Sequence, residues 1–314
     1  MRVAALAGGT GAAKLLRGLA AALDASALTV VVNTGDDAEV WGLRVSPDLD
    51  SVMYALAGVL DTGRGWGRAD ETFRCLSAMA VYGAPTWFTL GDRDLATHLV
   101  RTRALRDGQS LSAITAQLCR TLGVAARLLP MSDDAVRTTI RTPEGRLGFQ
   151  EYFVRDKCQA EVVGIDYDGA DRARPAPGVV EAIREADLVV VCPSNPVTSV
   201  GPIIAVRAIA DALAAARAPV VGVSPIVGGA AVSGPAGALM RARGLPVSPV
   251  GIAHAYAPWL QTLLVARDDA ACAPELAALG VRAVPTDVMM PDAERERALA
   301  RAVLDAARAR LPLQ

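Results

Sequence analysis

Four groups of residues in this chain have types and spacing that could do chemistry. Gly8-Gly9-Thr10-Gly11 lets the backbone come close to a phosphate, and a helix starting just after it would offer unpaired N–H groups and a positive dipole end. Lys14 adds a cation in that helix's first turn. Asp36, Asp37, Asp48 and Asp50 supply oxygen ligands for a hard cation such as magnesium, which is usually held by one or two carboxylates plus substrate phosphates. Asp94, His98 and Arg101 are spaced four and three apart, so on a helix starting near 94 they share a face. With Arg93 beside them they suit bidentate contacts to phosphate or carboxylate, whereas His254 has no such company and reads as structural. Last come Pro193-Ser194-Asn195-Pro196 and Ser224-Pro225-Ile226-Val227-Gly228-Gly229. Plainer readings stand beside these: the glycine, serine and proline loops can be ordinary turns, Asp48 or Ser46 can cap a helix, and His98 can be a structural hydrogen-bonder.

The elements that must position these groups read as alternating strands and helices. Val3–Ala7 is a buried apolar run, Leu15, Leu16 and Leu19 follow at helical spacing, and Leu28–Val32 is a second run ending in Asn33-Thr34-Gly35-Asp36-Asp37. That is a βαβ unit with a right-handed crossover, which puts the strand-end loops on one rim. Ala186–Cys192 and Pro219–Val223 repeat the pattern, so the loops at 8–11, 33–37, 193–196 and 224–229 converge. Ligands of open parallel sheets bind outside those strand ends, and a nucleotide is the natural occupant. The predicted fold is α/β: a Rossmann-like, mostly parallel sheet flanked by helices in a single domain over 1–314. From 61 to 155 the rhythm changes to helices near 71–81, 94–101 and 110–122 and a hairpin around Pro143-Glu144-Gly145, with 137–142 and 146–154 as its arms. This helical and hairpin segment is expected as an insertion over the rim that shapes a second substrate's site. Helices are expected near 202–215, after 233–237 and over 292–310, and short strands near 247–252, 262–266 and 281–284.

Composition excludes several function classes. The 314 residues are 52% hydrophobic, with 32 basic and 33 acidic residues well mixed, so no electrostatic footprint points to nucleic acid or an anionic membrane. The five cysteines are far apart and odd in number, which suggests neither a disulfide framework nor a zinc site. With no leader pattern and no apolar run of about 18 residues, a cytoplasmic protein is expected. The glycine loop satisfies neither standard phosphate motif: Lys14 stands where a dinucleotide fingerprint needs glycine, and no Gly-Lys-Ser/Thr follows. A nicotinamide cofactor is therefore not expected.

Taken in order, the Gly8–Gly11 loop, Val32-Asn33-Thr34-Gly35-Asp36-Asp37, Ser46-Pro47-Asp48-Leu49-Asp50, Gly65-Trp66-Gly67, Leu90 to His98, Leu129-Pro130-Met131-Ser132-Asp133-Asp134, Pro193–Pro196 and Ser224–Gly229 resemble the 2-phospho-L-lactate transferase family across nearly the whole chain. The resemblance implies transfer of a phospholactyl or phosphoenolpyruvyl group from a guanosine diphosphate-linked donor to the deazaflavin Fo, releasing GMP, in coenzyme F(420) biosynthesis. It also implies magnesium dependence and a homodimer. On this reading Gly9, Thr10, Gly11 and Lys14, with Asn33, Asp37, Ser194, Asn195, Ser224, Gly228 and Gly229, belong to the substrate site. Asp36 and Asp50 face the metal and the acceptor hydroxyl, and Arg93 and His98 line the Fo side. The alternatives are a non-catalytic nucleotide-sugar-binding regulator of the same fold and, more remotely, a dinucleotide-dependent oxidoreductase.

Overall fold

In a computed structural model that describes residues 1–309, Val3–Ala7 (β1) runs into Gly9–Ala22 (α1) and Leu28–Val32 (β2). There follow the hairpin Ala38–Val40 (β3) and Leu43–Val45 (β4), then Pro47–Leu56 (α2), Arg74–Val81 (α3), Asp92–Arg106 (α4), Leu111–Thr121 (α5) and Arg127–Pro130 (β5). Arg137–Thr142 (β6), Gly145–Gly148 (β7) and Gly164–Asp168 (β8) form a small antiparallel sheet. The chain continues through Val179–Glu185 (α6), Leu188–Val191 (β9), Val200–Ala205 (α7), Arg207–Ala214 (α8) and Val220–Val223 (β10) to the two-residue arms Ile226–Val227 (β11) and Ala230–Ala231 (β12). Ala236–Ala242 (α9), Pro249–Ala255 (α10), Thr262–Ala266 (β13), Ala273–Ala278 (α11), Arg282–Thr286 (β14) and Ala293–Arg308 (α12) complete it.

Seven strands make one sheet in the order β14-β13-β10-β9-β1-β2-β5, and every neighbouring pair is parallel. A sheet buried on both faces needs apolar residues at both parities, and β1 supplies them. Ala4 and Leu6 join the core under α6, α7 and α8, while Val3, Ala5 and Ala7 join the core under α1, α2 and α12. From β1 the chain builds outward to β2 and β5, then returns to the other side through β9. The strand order therefore reverses between β1 and β9, where doubly wound sheets open a ligand crevice.

Four expectations change here. The 61–155 stretch is not one insertion, because β5 within it is the edge strand of the main sheet. The strand expected near 247–252 is the helix α10: Ser248 caps it, its hydroxyl accepting from Gly251 N at 3.4 Å, and Pro249 occupies the first turn, where its missing N–H costs nothing. The strand expected through 146–154 stops at Gly148, and residues 149–155 wind into a helical turn that widens to π-helix over Glu151–Arg155. The expected 202–215 helix is split into α7 and α8, and residue 310 of the last helix lies outside the described residues.

Close helix packing holds the glycine loop's helix in place. A Cβ on Gly18 would stand 2.2 Å from the carbonyl oxygen of Glu296, so α1 and α12 touch backbone to side-chain-free backbone. Arg17 fastens the contact by pairing with the Glu296 carboxylate. Gly18→Ala is expected to force the helices apart and cost about 1–3 kcal/mol, seen as a Tm lowered by several degrees.

Candidate active site

The switch point is stitched shut below and open above. At its floor Gly8 N donates to Ser194 Oγ at 3.2 Å, and Gly11 sits so close to the 193 loop that a Cβ there would stand 2.5 Å from the Pro193 carbonyl oxygen. Gly9 takes φ +74°, a left-handed conformation suited to glycine, and its N–H donates to Asp48 Oδ1 at 2.7 Å. Above this floor lies a cleft of about 900 Å3, walled by Gly8–Gly11, Lys14, Ser194, Asn195 and Ser224 together with Asp36, Asp48, Asp50, Asp94 and His98.

Asp48 is neither a helix cap nor a bystander. Its second oxygen accepts from Asn33 Nδ2 at 2.9 Å, so one carboxylate ties the glycine loop to the end of β2. Asn33 in turn donates to Thr198 O at 3.0 Å and accepts from Gly35 N at 2.8 Å. It braces three strand-end loops from beneath and does not line the cleft.

Asp36 faces the cleft with 5% of its surface exposed, and among the described residues its Oδ1 has no hydrogen-bond partner. Loss of hydration and the neighbouring Asp48 push its carboxyl well above the usual carboxylate range, and loss of hydration lifts Asp48 to about 6 despite its two hydrogen bonds. Two desolvated carboxylates, one with a free oxygen, fit a hard cation. Asp37 turns away: its Oδ2 accepts from Ser46 Oγ at 2.8 Å, and it faces a separate cavity of about 80 Å3 with Thr34, Arg44 and Arg137. Desolvation raises its pKa to about 7.

Asp50 belongs to a second network reaching into α4. Both its oxygens accept from Arg101, which is 1% exposed; Nη1 lies 3.0 Å from Asp50 Oδ2 and 3.3 Å from His98 Nδ1. An arginine can only donate, so Nδ1 is the accepting nitrogen and the imidazole proton sits on Nε2, 3.3 Å from Asp94 Oδ1. The Tyr54 hydroxyl is 2.7 Å from the same Asp94 oxygen and 2.8 Å from Thr97 Oγ1. Burial and the nearby Asp50 and Asp94 hold Tyr54 well above its ordinary pKa, so it stays a phenol. Burial works against the Asp94 carboxylate, but the adjoining His98 and Tyr54 side chains and the Arg101 charge outweigh it and keep that pKa below its usual value. Asp50, Asp94 and His98 can each offer one ligand atom within 4.8 Å of the others, a group able to hold a metal ion.

Across residues 3–304 the chain matches the family described as 2-phospho-L-lactate transferase CofD. It belongs to that family. Phosphoenolpyruvate transferases of Streptomyces griseus and Kitasatospora aureofaciens are 46% and 48% identical to it, over 98% and 97% of both chains. The 2-phospho-L-lactate transferase of Methanosarcina acetivorans is 42% identical over 95% of this chain and 97% of its own. In three dimensions the fold resembles a UPF0052 family protein from Bacillus halodurans, at TM-score 0.64 and 18% identity, over 96% of this chain and 98% of that one. As a CofD-family member the chain is a transferase, and the cleft is where its chemistry has to be sought.

Not every expected residue of this CofD-family site reaches the cleft. Arg93 is exposed on the outer side of α4, its guanidinium 3.4 Å from Ala69 O and its N–H held by Glu71. The physical reason is a reciprocal cap: Glu71 accepts from Arg93 N and Asp94 N at the start of α4, while Asp92 accepts from Arg74 N and Cys75 N at the start of α3. Asp92 thus caps the neighbouring helix and not its own. Gly228 and Gly229, at φ +57° and +76°, form the tight turn between β11 and β12, and Gly228 N donates to Asp269. Their turn sets the course of Val232–Pro235, which does line the cleft. Lys14 reaches the cleft with its Nζ donating to Met290 O at 3.0 Å.

The cleft also holds side chains to which the sequence reading assigned no role. Arg64 stacks over the rings of Trp66 and Phe73, 5.1 Å from each centroid, and both Arg64 and Trp66 face the cleft. Tyr54, Phe88, Phe149, Gln150 and Phe153 add a largely aromatic wall. The glycines bracketing Trp66 were the one sequence signal for that part of it.

Proposed function

We propose that this protein transfers a phosphorylated three-carbon acid group, phosphoenolpyruvyl or phospholactyl, from a guanosine diphosphate-linked donor to the terminal hydroxyl of the deazaflavin Fo, releasing GMP in coenzyme F(420) biosynthesis. The reading rests on one observation above the others: in a chain of this family, the glycine loop lines the same cleft as Asp36, a desolvated carboxylate with an unpartnered oxygen. The higher identity to relatives named phosphoenolpyruvate transferase than to one named 2-phospho-L-lactate transferase favours the phosphoenolpyruvyl donor.

In this mechanism Gly9–Gly11, Ser194, Asn195 and Ser224 bind the guanylyl part, with backbone N–H groups and the Lys14 amine toward its phosphates. Asp36 and Asp50, both lining the cleft, would hold magnesium, which when bound neutralises charge on the group in transfer and on departing GMP. Arg101 fixes the rotamer of Asp50 and, by donating to Nδ1, the tautomer of His98, so neither side chain must reorganise as charge moves. The acceptor hydroxyl needs chiefly alignment against the phosphorus, which two-sided enclosure in the cleft provides. A homodimer working in the cytoplasm completes the proposal.

Two measurements test it. GDP or GMP with magnesium is expected to raise the Tm in a concentration-dependent way while NAD and NADP leave it unchanged; the reverse pattern would sink the reading. Mass analysis of the product from Fo with each guanylated donor then identifies the acid transferred, and absence of any F(420)-type product with every donor refutes the activity.

A further inference from the structure

The wide helical turn at 149–155 sends Phe149, Gln150, Phe153 and Val154 to the cleft while Tyr152 points into the core with 1% exposed. Charged groups pin the turn from outside: Glu151 accepts from Gly148 N at 2.8 Å and pairs with Arg155 at 2.8 Å, which also pairs with Asp156. Phe149 and Phe153 stack almost parallel, 6° between planes and 5.5 Å between centroids. Phe149 is the backing ring at 8% exposed, and Phe153 is left 40% exposed. Gln150 is 8% exposed, and among the described residues its side-chain amide makes no hydrogen bond.

Phe149 joins Tyr152 in the core, but Phe153 and Gln150 lie outside it. A phenyl face left open to water gains from a second ring laid on it, and the Gln150 amide, which lines the cleft without a partner among the described residues, keeps two donors and an acceptor for a ligand. We propose that the Phe149–Phe153 pair and Gln150 form the seat of a planar, fused heteroaromatic ring that carries a carbonyl beside an N–H. The ring stacks on Phe153, and the Gln150 amide, donor and acceptor side by side, pairs with that edge. The seat rests on the transferase reading, under which two ligands bring such a ring: the deazaflavin and the guanine.

Calorimetric titration of Fo and, separately, of GDP with magnesium into wild type, Phe153→Ala and Gln150→Leu tests the seat and tells the sources apart, with melting curves to check folding. Phe153 is exposed enough for its removal to leave the fold intact. Phe153→Ala is expected to weaken one of the two ligands roughly 5- to 50-fold and leave the other within about twofold. Gln150→Leu is expected to weaken the same one, and Phe153→Trp to restore it. Whichever ligand loses affinity is the one seated. Unchanged affinity for both ligands in Phe153→Ala, or equal loss of both, overturns the seat while the transferase reading stands. Wild-type protein that binds neither ligand overturns the transferase reading, and the seat with it.

Discussion

Asp36→Asn is expected to lower turnover at least about 100-fold while raising the Tm of the metal-free protein. The loss follows because a neutral amide is a poorer ligand for a hard cation, and metal stabilisation of phosphoryl transfer is worth several kcal/mol, with each ~1.4 kcal/mol a factor of ten. The gain in stability follows from linkage. The folded pKa of Asp36 is raised, by desolvation and by Asp48, so folding is penalised once the unfolded chain would ionise. Below the unfolded value both states are protonated and nothing is lost; as pH rises through it toward the folded value, stability falls and then stays low. For Asp48 that window runs from 3.8 to about 6. Melting curves across pH 4–8 without metal should therefore fall less steeply for Asp36→Asn than for wild type, and added magnesium should stabilise the wild type more. A variant with wild-type turnover and an unchanged response to magnesium would remove Asp36 from the site.

Arg101→Met is expected to be the most destabilising single change at the site, about 3–5 kcal/mol, or a Tm lower by roughly 10 °C. Methionine matches much of the length and packing but leaves the Asp50 carboxylate buried without its cation, and it strips His98 Nδ1 of its donor. Pairing it with Asp50→Asn should recover part of the loss, since the stranded charge and not the missing attraction carries most of the cost. Equal stability of the single and double variants would mean that Arg101 acts through packing alone. The double variant should stay inactive, which separates stability from positioning.

The strands and glycine loop were legible because short apolar runs ending in turn residues have few other interpretations, and β1, β2, β9 and β10 lie where those runs lie. The convergence of the strand-end loops followed from crossover handedness alone. The acidic residues could be nominated but not assigned. Asp36, Asp37, Asp48 and Asp50 look alike in sequence, yet one has a free oxygen, one faces another cavity, one braces the glycine loop and one is clasped by Arg101. That distinction depends on Asn33 and Arg101 reaching across elements, which no spacing reveals. The 146–154 segment misled because alternation of polar and apolar residues is satisfied equally by a strand and by a turn whose Tyr152 points in and whose Phe149 and Phe153 point to the cleft. Arg93 lies outside the cleft because Glu71 holds the start of α4 from another element, a contact that no local spacing announces.

The hydrogen bond from Gly8 to Ser194 joins residues 186 positions apart, and the Arg17 to Glu296 pair spans 279. Both therefore dictate an order of events during synthesis. A nascent chain that has released β1, β2 and β5 can pair them, but the other edge of β1 stays open until β9 leaves the ribosome, and an open apolar edge invites pairing with other chains. The apolar side of α1 waits longer still, until α12 arrives to cover it. A glycine loop placed first in the sequence is thus among the last parts of the molecule to take its working shape.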